Sequence, residues 1–154
     1  MIATLASAQF VAGALTGRPT DPDFYRSLDQ APFAPPSWAF APAWAIAKTG
    51  SSISAVTVWE RRDMRGRKAY LTLETLGAAL YVTFPYVYFR KKSPVLAAVW
   101  TCATAGVIAA QGSLLARSDR RAALGLLPEA AWLALATPAA IYQAARNPGP
   151  VIRS

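Results

Sequence analysis

Apolar and polar positions in this chain fall into long blocks. Apolar stretches occupy about 2–16, 36–59, 70–89, 94–116 and 122–145, with short polar segments between them. A helix rises 1.5 Å per residue, so a bilayer crossing takes roughly 20 residues. The last four stretches have that length and the first is short. The first also invites a signal-peptide reading, with "ASA" at 6–8, but no cationic segment precedes it. The pattern predicts an all-α integral membrane protein, a single domain over 1–154 made of five transmembrane helices.

The punctuation supports this division. Thr16–Pro36 carries Arg18, Asp21, Asp23, Arg26 and Asp29 together with prolines that oppose a continuous helix. Pro35 and Pro36 set up a helix start, because a missing N–H costs nothing in a first turn. "ERRDMRGRK" at 60–68, "RKK" at 90–92 and "RSDRR" at 117–121 are charged connections. Pro85 predicts a kink. Pro128 and Pro138 lie in the last stretch, where neighbouring helices must satisfy the freed carbonyls. Gly13 and Gly17 form a small-residue pair suited to close helix packing.

Composition agrees. Hydrophobic residues make up 54% and charged residues 16% of the 154 residues, against about 25% charged in soluble domains. The net charge of +8 would suit nucleic acid, but the cations collect in the loops and tail, as in a polytopic membrane protein. Nucleic acid is therefore not expected as a partner. With five spans, the two sides would carry eight and seven cationic side chains, so the positive-inside rule selects no orientation. Histidine is absent, which excludes histidine-based triads and metal sites; no metal ligands and no catalytic residues are assigned. Cys102 reads as a small hydrophobe.

Two features carry candidate chemistry. The first is a set of five tryptophans. Trp38, Trp59 and Trp100 lie near helix ends, where interfacial indoles gather. Trp44 lies deeper, and Trp132 about ten residues into the last helix, roughly 15 Å by helix rise. An indole at that depth needs a partner for its N–H or a ligand face to stack on; ligand contact and packing stay equally open. The second feature is Lys48, midway along its stretch, where a charge costs about 2.5–3.5 kcal/mol even on the lenient insertion scale. Glu129 lies in the first turns of the last stretch.

"FYRSLDQAPFAPPSWAFAPAW" resembles the signature of the tryptophan-rich sensory protein, or translocator protein (TspO/MBR), family, approximately W-Y-x-x-L-x-K-P-x-x-x-P-P-x-W-x-F-x-P-x-W. Tyr25, Leu28, Pro35, Pro36, Trp38, Phe40, Pro42 and Trp44 match. "AALGLLPEAAWLALATPAAIYQAARNP" resembles the family's fifth helix through Ala122, Ala123, Leu126, Pro128, Ala131, Trp132, Ala136 and Asn147. The resemblance covers nearly the whole chain and implies a five-helix bundle around a cavity that binds porphyrins or other flat hydrophobic ligands. Trp44 and Trp132 correspond to tryptophans implicated in light-dependent porphyrin breakdown by some bacterial members.

The departures from the family pattern point the same way as the candidate chemistry. Phe24 stands for a tryptophan, Lys48 and Glu129 each for a tyrosine, Leu115 for a pocket aromatic and Ala140 for an asparagine; Gly77, Tyr81 and Phe84 stand at inward positions of the third helix. In the family fold the second and fifth helices are neighbours. Lys48 and Glu129 differ in depth by about four residues, or roughly 6 Å, so an intramembrane ion pair is expected, against the alternative of a snorkelling lysine and a protonated glutamate.

The expected function is binding of a flat hydrophobic ligand, a porphyrin or related tetrapyrrole, for sensing, regulation or transport. The expected ligand-binding residues are Phe40, Trp44, Lys48, Leu115, Glu129 and Trp132. No cofactor is required; the tetrapyrrole is the ligand. One alternative is a light-dependent porphyrin-degrading enzyme, and another a structural or sensory membrane subunit without a small ligand. The expected partners are membrane lipid and a hydrophobic small molecule, with a second copy of the chain as a further candidate. The expected location is a multi-pass position in a bacterial cell membrane.

Overall fold

A computed structural model of the chain describes residues 22–147. The first apolar stretch, about 2–16, and the Gly13–Gly17 pair lie outside the described residues. No strand occurs among those described. A short helix, α1 (Pro22–Ser27), precedes four long ones: α2 (Phe40–Glu60), α3 (Arg67–Pro85), α4 (Pro94–Ser118) and α6 (Leu127–Arg146), with a short α5 (Arg120–Leu124) before the last.

Local chemistry sets the boundaries. Pro36 is extended, with φ −62° and ψ 148°, and Ser37–Ala39 make one 3-10 turn before α2 begins. Pro42 sits in the first turn, where its missing N–H has no helical partner to lose. At the other end of α2 the Arg61 N–H closes on the Thr57 carbonyl, and Arg67 donates to the carbonyls of Val58 (3.2 Å) and Trp59 (3.0 Å). After Pro85 the chain does not simply kink. It widens into a π-helical turn, Tyr86–Arg90, in which the Lys91 N–H reaches back to the Tyr86 carbonyl at 3.0 Å. Ser93 caps α4 by accepting from the Leu96 N–H, and Pro94 occupies its first position.

The segment read as one helix over 122–145 is broken. Asp119 accepts from the N–H groups of Arg121 and Ala122 and so caps a separate short helix, α5. The chain turns through Gly125 and Leu126, and α6 starts at Leu127 with Pro128 in its first turn.

α6 packs between α2 and α4, and α3 packs on α4 and α2, so the four long helices close a ring. At one end the ring is tight. Val58, Tyr70, Leu115, Ala122 and Leu126 form a buried cluster. There the turn before α6 lies against α2: a Cβ built on Gly50 would come within 2.3 Å of the Gly125 carbonyl oxygen, and only a residue without one fits. The Ser54 hydroxyl donates to the Ala122 carbonyl at 2.7 Å in the same contact. Outer faces carry apolar side chains, among them Ile46, Ile53, Leu76, Val99 and Ile141. Among the described helices one, Pro94–Ser118, is long and apolar enough to cross a membrane by length and composition alone.

Candidate functional site

The opposite end of the ring is open and aromatic. Phe40 and Trp44 from α2, Tyr81 and Phe84 from α3, Tyr88 from the π turn and Trp132 from α6 surround a cavity of about 130 Å³. The alanines Ala97, Ala136, Ala139 and Ala140 leave the space that the rings frame. Trp132 meets Phe40 and Trp44 edge to face, at 5.2 and 6.3 Å, and Trp44 lies tilted against Tyr81 at 5.0 Å. Tyr25 continues the series 6.1 Å from Phe40. In the edge-to-face contacts one ring sets its edge on the face of its neighbour.

The mouth is held by amides. Gln143 of α6 donates to Gln30 (2.9 Å) and accepts from the Tyr88 hydroxyl (2.8 Å), and Gln30 donates to the Tyr25 carbonyl (2.8 Å). Asn147 and Asp29 exchange a second pair of hydrogen bonds. The Gln30–Ser37 segment, which contributes Ala34 and Pro35 to the wall, is thus latched to the end of α6. Burial raises the Tyr25 phenol above its ordinary pKa, so it remains a neutral side chain here.

One helical turn past the last wall residues, Trp44 and Trp132, lie Lys48 and Glu129. Lys48 Nζ donates to Glu129 Oε1 at 2.5 Å, and the Ser51 hydroxyl donates to Glu129 Oε2. Glu129 is fully buried and Lys48 is 7% exposed. The ammonium also lies 4.8 Å from the Tyr81 ring centre and 5.5 Å from that of Trp44, within cation–π range. The expected ion pair is present. Its partners complete each other: removing either would leave a buried charge alone.

The sequence-derived site residues therefore divide. Phe40, Trp44 and Trp132 line the cavity. Lys48 and Glu129 do not line it but sit directly behind Trp44 and Tyr81. Leu115 is not a wall residue. It is fully buried in the tight cluster with Val58 and Tyr70, and α4 rises about 16 Å between the wall residue Thr104 and Leu115. Gly77 faces α4, where an added Cβ would lie 3.4 Å from Val107. Of the tryptophans read as interfacial, Trp38 is largely exposed and Trp59 partly so, while Trp100 donates to the Thr83 hydroxyl at 2.9 Å.

Sequence reasoning missed four participants. Ser51 and the Gln30–Gln143 pair are ordinary polar residues whose partners lie far along the chain. Glu74 was legible: it is a carboxylate inside an apolar stretch, the same signal that marks Lys48. It accepts from Gln111 Nε2 at 2.8 Å, joining α3 to α4. Trp132 adds an unforeseen detail. Its indole nitrogen is buried with no hydrogen-bond partner.

Comparison with known proteins agrees with this architecture. The profile of the TspO/MBR family matches residues 1–144. The chain is 31% identical over 120 residues, 77% of each chain, to the uncharacterized membrane protein YtaB of Bacillus subtilis. It is 28% identical over 115 residues to the translocator protein of Bos taurus, covering 73% of this chain and 68% of that one. An all-helical ring around an aromatic cavity, the two tryptophan-bearing blocks and these matches lead to one conclusion: the chain belongs to the TspO/MBR family of membrane proteins.

Proposed function

We propose that this protein is a five-helix, multi-pass membrane protein that holds a flat hydrophobic ligand, a porphyrin or related tetrapyrrole, in the aromatic cavity. The five-helix reading adds the apolar segment at about 2–16 to the four long helices. The apolar outer faces support it, since lipid is the solvent such surfaces fit. The Bacillus subtilis relative favours a bacterial cell membrane. Reporter fusions at positions 64 and 154 should fall in opposite compartments; both on one side would remove the five-span arrangement.

The observation that carries the ligand reading is Trp132. It lines an apolar cavity while its N–H is buried and unpartnered. An unpaired buried donor costs about 1–3 kcal/mol, which a ligand presenting an acceptor offsets. Trp44, Tyr81 and Phe40 supply ring faces for a flat partner. The cavity volume of about 130 Å³ is below the roughly 300–1,000 Å³ of ordinary ligand sites. A macrocycle therefore enters only as the Gln30–Ser37 segment gives way, and the Gln30–Gln143 latch is the contact it must open. A ligand that opens this latch would report its own presence at the membrane surface, in keeping with a sensory or transport role.

Adding porphyrin to the detergent-purified protein should quench tryptophan fluorescence. Trp132→Phe should reduce the quenching more than Trp59→Phe. Equal effects of the two changes would place the ligand elsewhere.

A further inference from the structure

Resting on the reading of the cavity as a ligand site, we propose that Glu129 cancels the Lys48 charge behind its inner end and so makes the cavity a charge filter: it admits an uncharged ligand edge and disfavours an anionic one, with Glu129 as the specificity-determining residue. A lysine next to an aromatic cavity would ordinarily be assigned the opposite task, anchoring a ligand carboxylate. The geometry argues against that assignment.

Every charged or hydrogen-bonding atom of the pair has a partner. The ammonium has Glu129 Oε1 at 2.5 Å and the faces of Tyr81 and Trp44 at 4.8 and 5.5 Å. Of the carboxylate oxygens, one is held by Lys48 and the other by Ser51. The two charges cancel within one contact, so the inner end of the cavity presents no net charge. An incoming carboxylate would gain little attraction from a cation that is already neutralised. It would also bring its own desolvation cost into a wall of rings and alanines. Displacing Glu129 to free the lysine would only transfer that cost, because Glu129 is fully buried and would be left as the unpaired anion. An uncharged edge meets none of these penalties.

The filter is therefore set by the balance of the pair, and each partner should shift it in a predictable direction. Removing the Glu129 charge exposes an unpaired ammonium one turn below the wall, which attracts an anionic edge. Removing the Lys48 charge exposes an unpaired carboxylate, which repels it. At short range in a low-dielectric site, either effect exceeds tenfold in binding.

The test uses two flat four-ring probes, methyl pyrene-1-carboxylate and pyrene-1-carboxylate, bound to detergent-purified protein and read by energy transfer from tryptophan. The measured quantity is the ratio of their affinities in each variant, so unequal partition into detergent cancels. In the wild type this ratio should match that of the neutral double variant Lys48→Met/Glu129→Gln. Glu129→Gln should move it toward the anion by about tenfold or more, and Lys48→Met toward the ester by a similar factor. If one single variant does not fold, the other carries the comparison. A wild type that binds the anion better than the double variant does would show Lys48 leaving Glu129 for the ligand and would overturn the filter. So would a ratio indifferent to both single changes. If no variant binds either probe, the ligand reading falls and the filter with it. Binding of the ester alone with unchanged ratios removes only the filter.

Discussion

At one end of the bundle Gly50 and Gly125 bring α2 and the turn before α6 together backbone to backbone. At the other end Phe40, Trp44, Tyr81 and Trp132 hold the same helices apart. The tight end closes over Val58, Tyr70 and Leu115; the aromatic end encloses about 130 Å³. The difference lies in side-chain shape. Residues without bulk let backbones touch and leave no space to fill, whereas large rings in edge-to-face contact stand off one another and frame a void. Between the two lies a polar layer, Lys48, Ser51 and Glu129, continued into the tight end by Ser54. It fixes the register of α2 against α6 at the level where the packing changes character. A closed end and an open end joined through a specified register give a site whose floor is packed backbone to backbone and whose mouth is held by side-chain hydrogen bonds.

The strongest way to break this arrangement is to unbalance the polar layer. Lys48→Met and Glu129→Gln should each lower the melting temperature of the detergent-solubilised protein, by the equivalent of about 3–5 kcal/mol if soluble buried pairs are a guide. The double change should recover much of the loss; strictly additive losses would mean that the two groups act independently.

A smaller effect is expected at the tight end. Gly50→Ala places a methyl group against the Gly125 carbonyl and should cost about 1–3 kcal/mol, the usual range for overpacking. Gly106→Ala, at a position where an added Cβ meets nothing within 4 Å, is the control and should leave the melting temperature unchanged or slightly raised. Similar losses from both would show that the Gly50 contact is looser than described.

The smallest stability effect belongs to the aromatic end. Ala136→Leu projects from the cavity wall and should change stability by no more than about 0.5 kcal/mol, as at positions without tight packing, while abolishing porphyrin quenching. Destabilisation comparable with that of Gly50→Ala would mean that this end is packed as tightly as the other, and the contrast would disappear.

Much of this molecule is written locally. The blocks of apolar residues, the charged connections and the double proline before α2 place the four long helices to within a few residues, because each signal acts within one helical turn. The break in the last stretch was missed although Gly125 and Pro128 are local marks of a helix end and a helix start. "AALGLLPEAAW" reads as one apolar run, and what its sequence does not carry is the close approach of Gly125 to Gly50, 75 positions earlier. Leu115 shows the same limit from the other side. Its register along a long helix determines whether it meets the cavity or the tight cluster, and an apolar helix with no polar face carries no mark of that register.

The sequence by itself determined that the chain is helical, apolar and of this family, and that Lys48 and Glu129 needed an explanation, since an ionisable side chain within an apolar run is costly wherever the helix is placed. Only the tertiary structure decided what that explanation is. It brought a lysine of α2 and a glutamate of α6 to 2.5 Å, turned Ser51 toward the second carboxylate oxygen, and left the Trp132 N–H without a partner in the cavity wall. Cost is a property of the residue and its segment; the contact that offsets the cost depends on which faces two distant helices turn toward each other, and that is set by the packing of the whole ring.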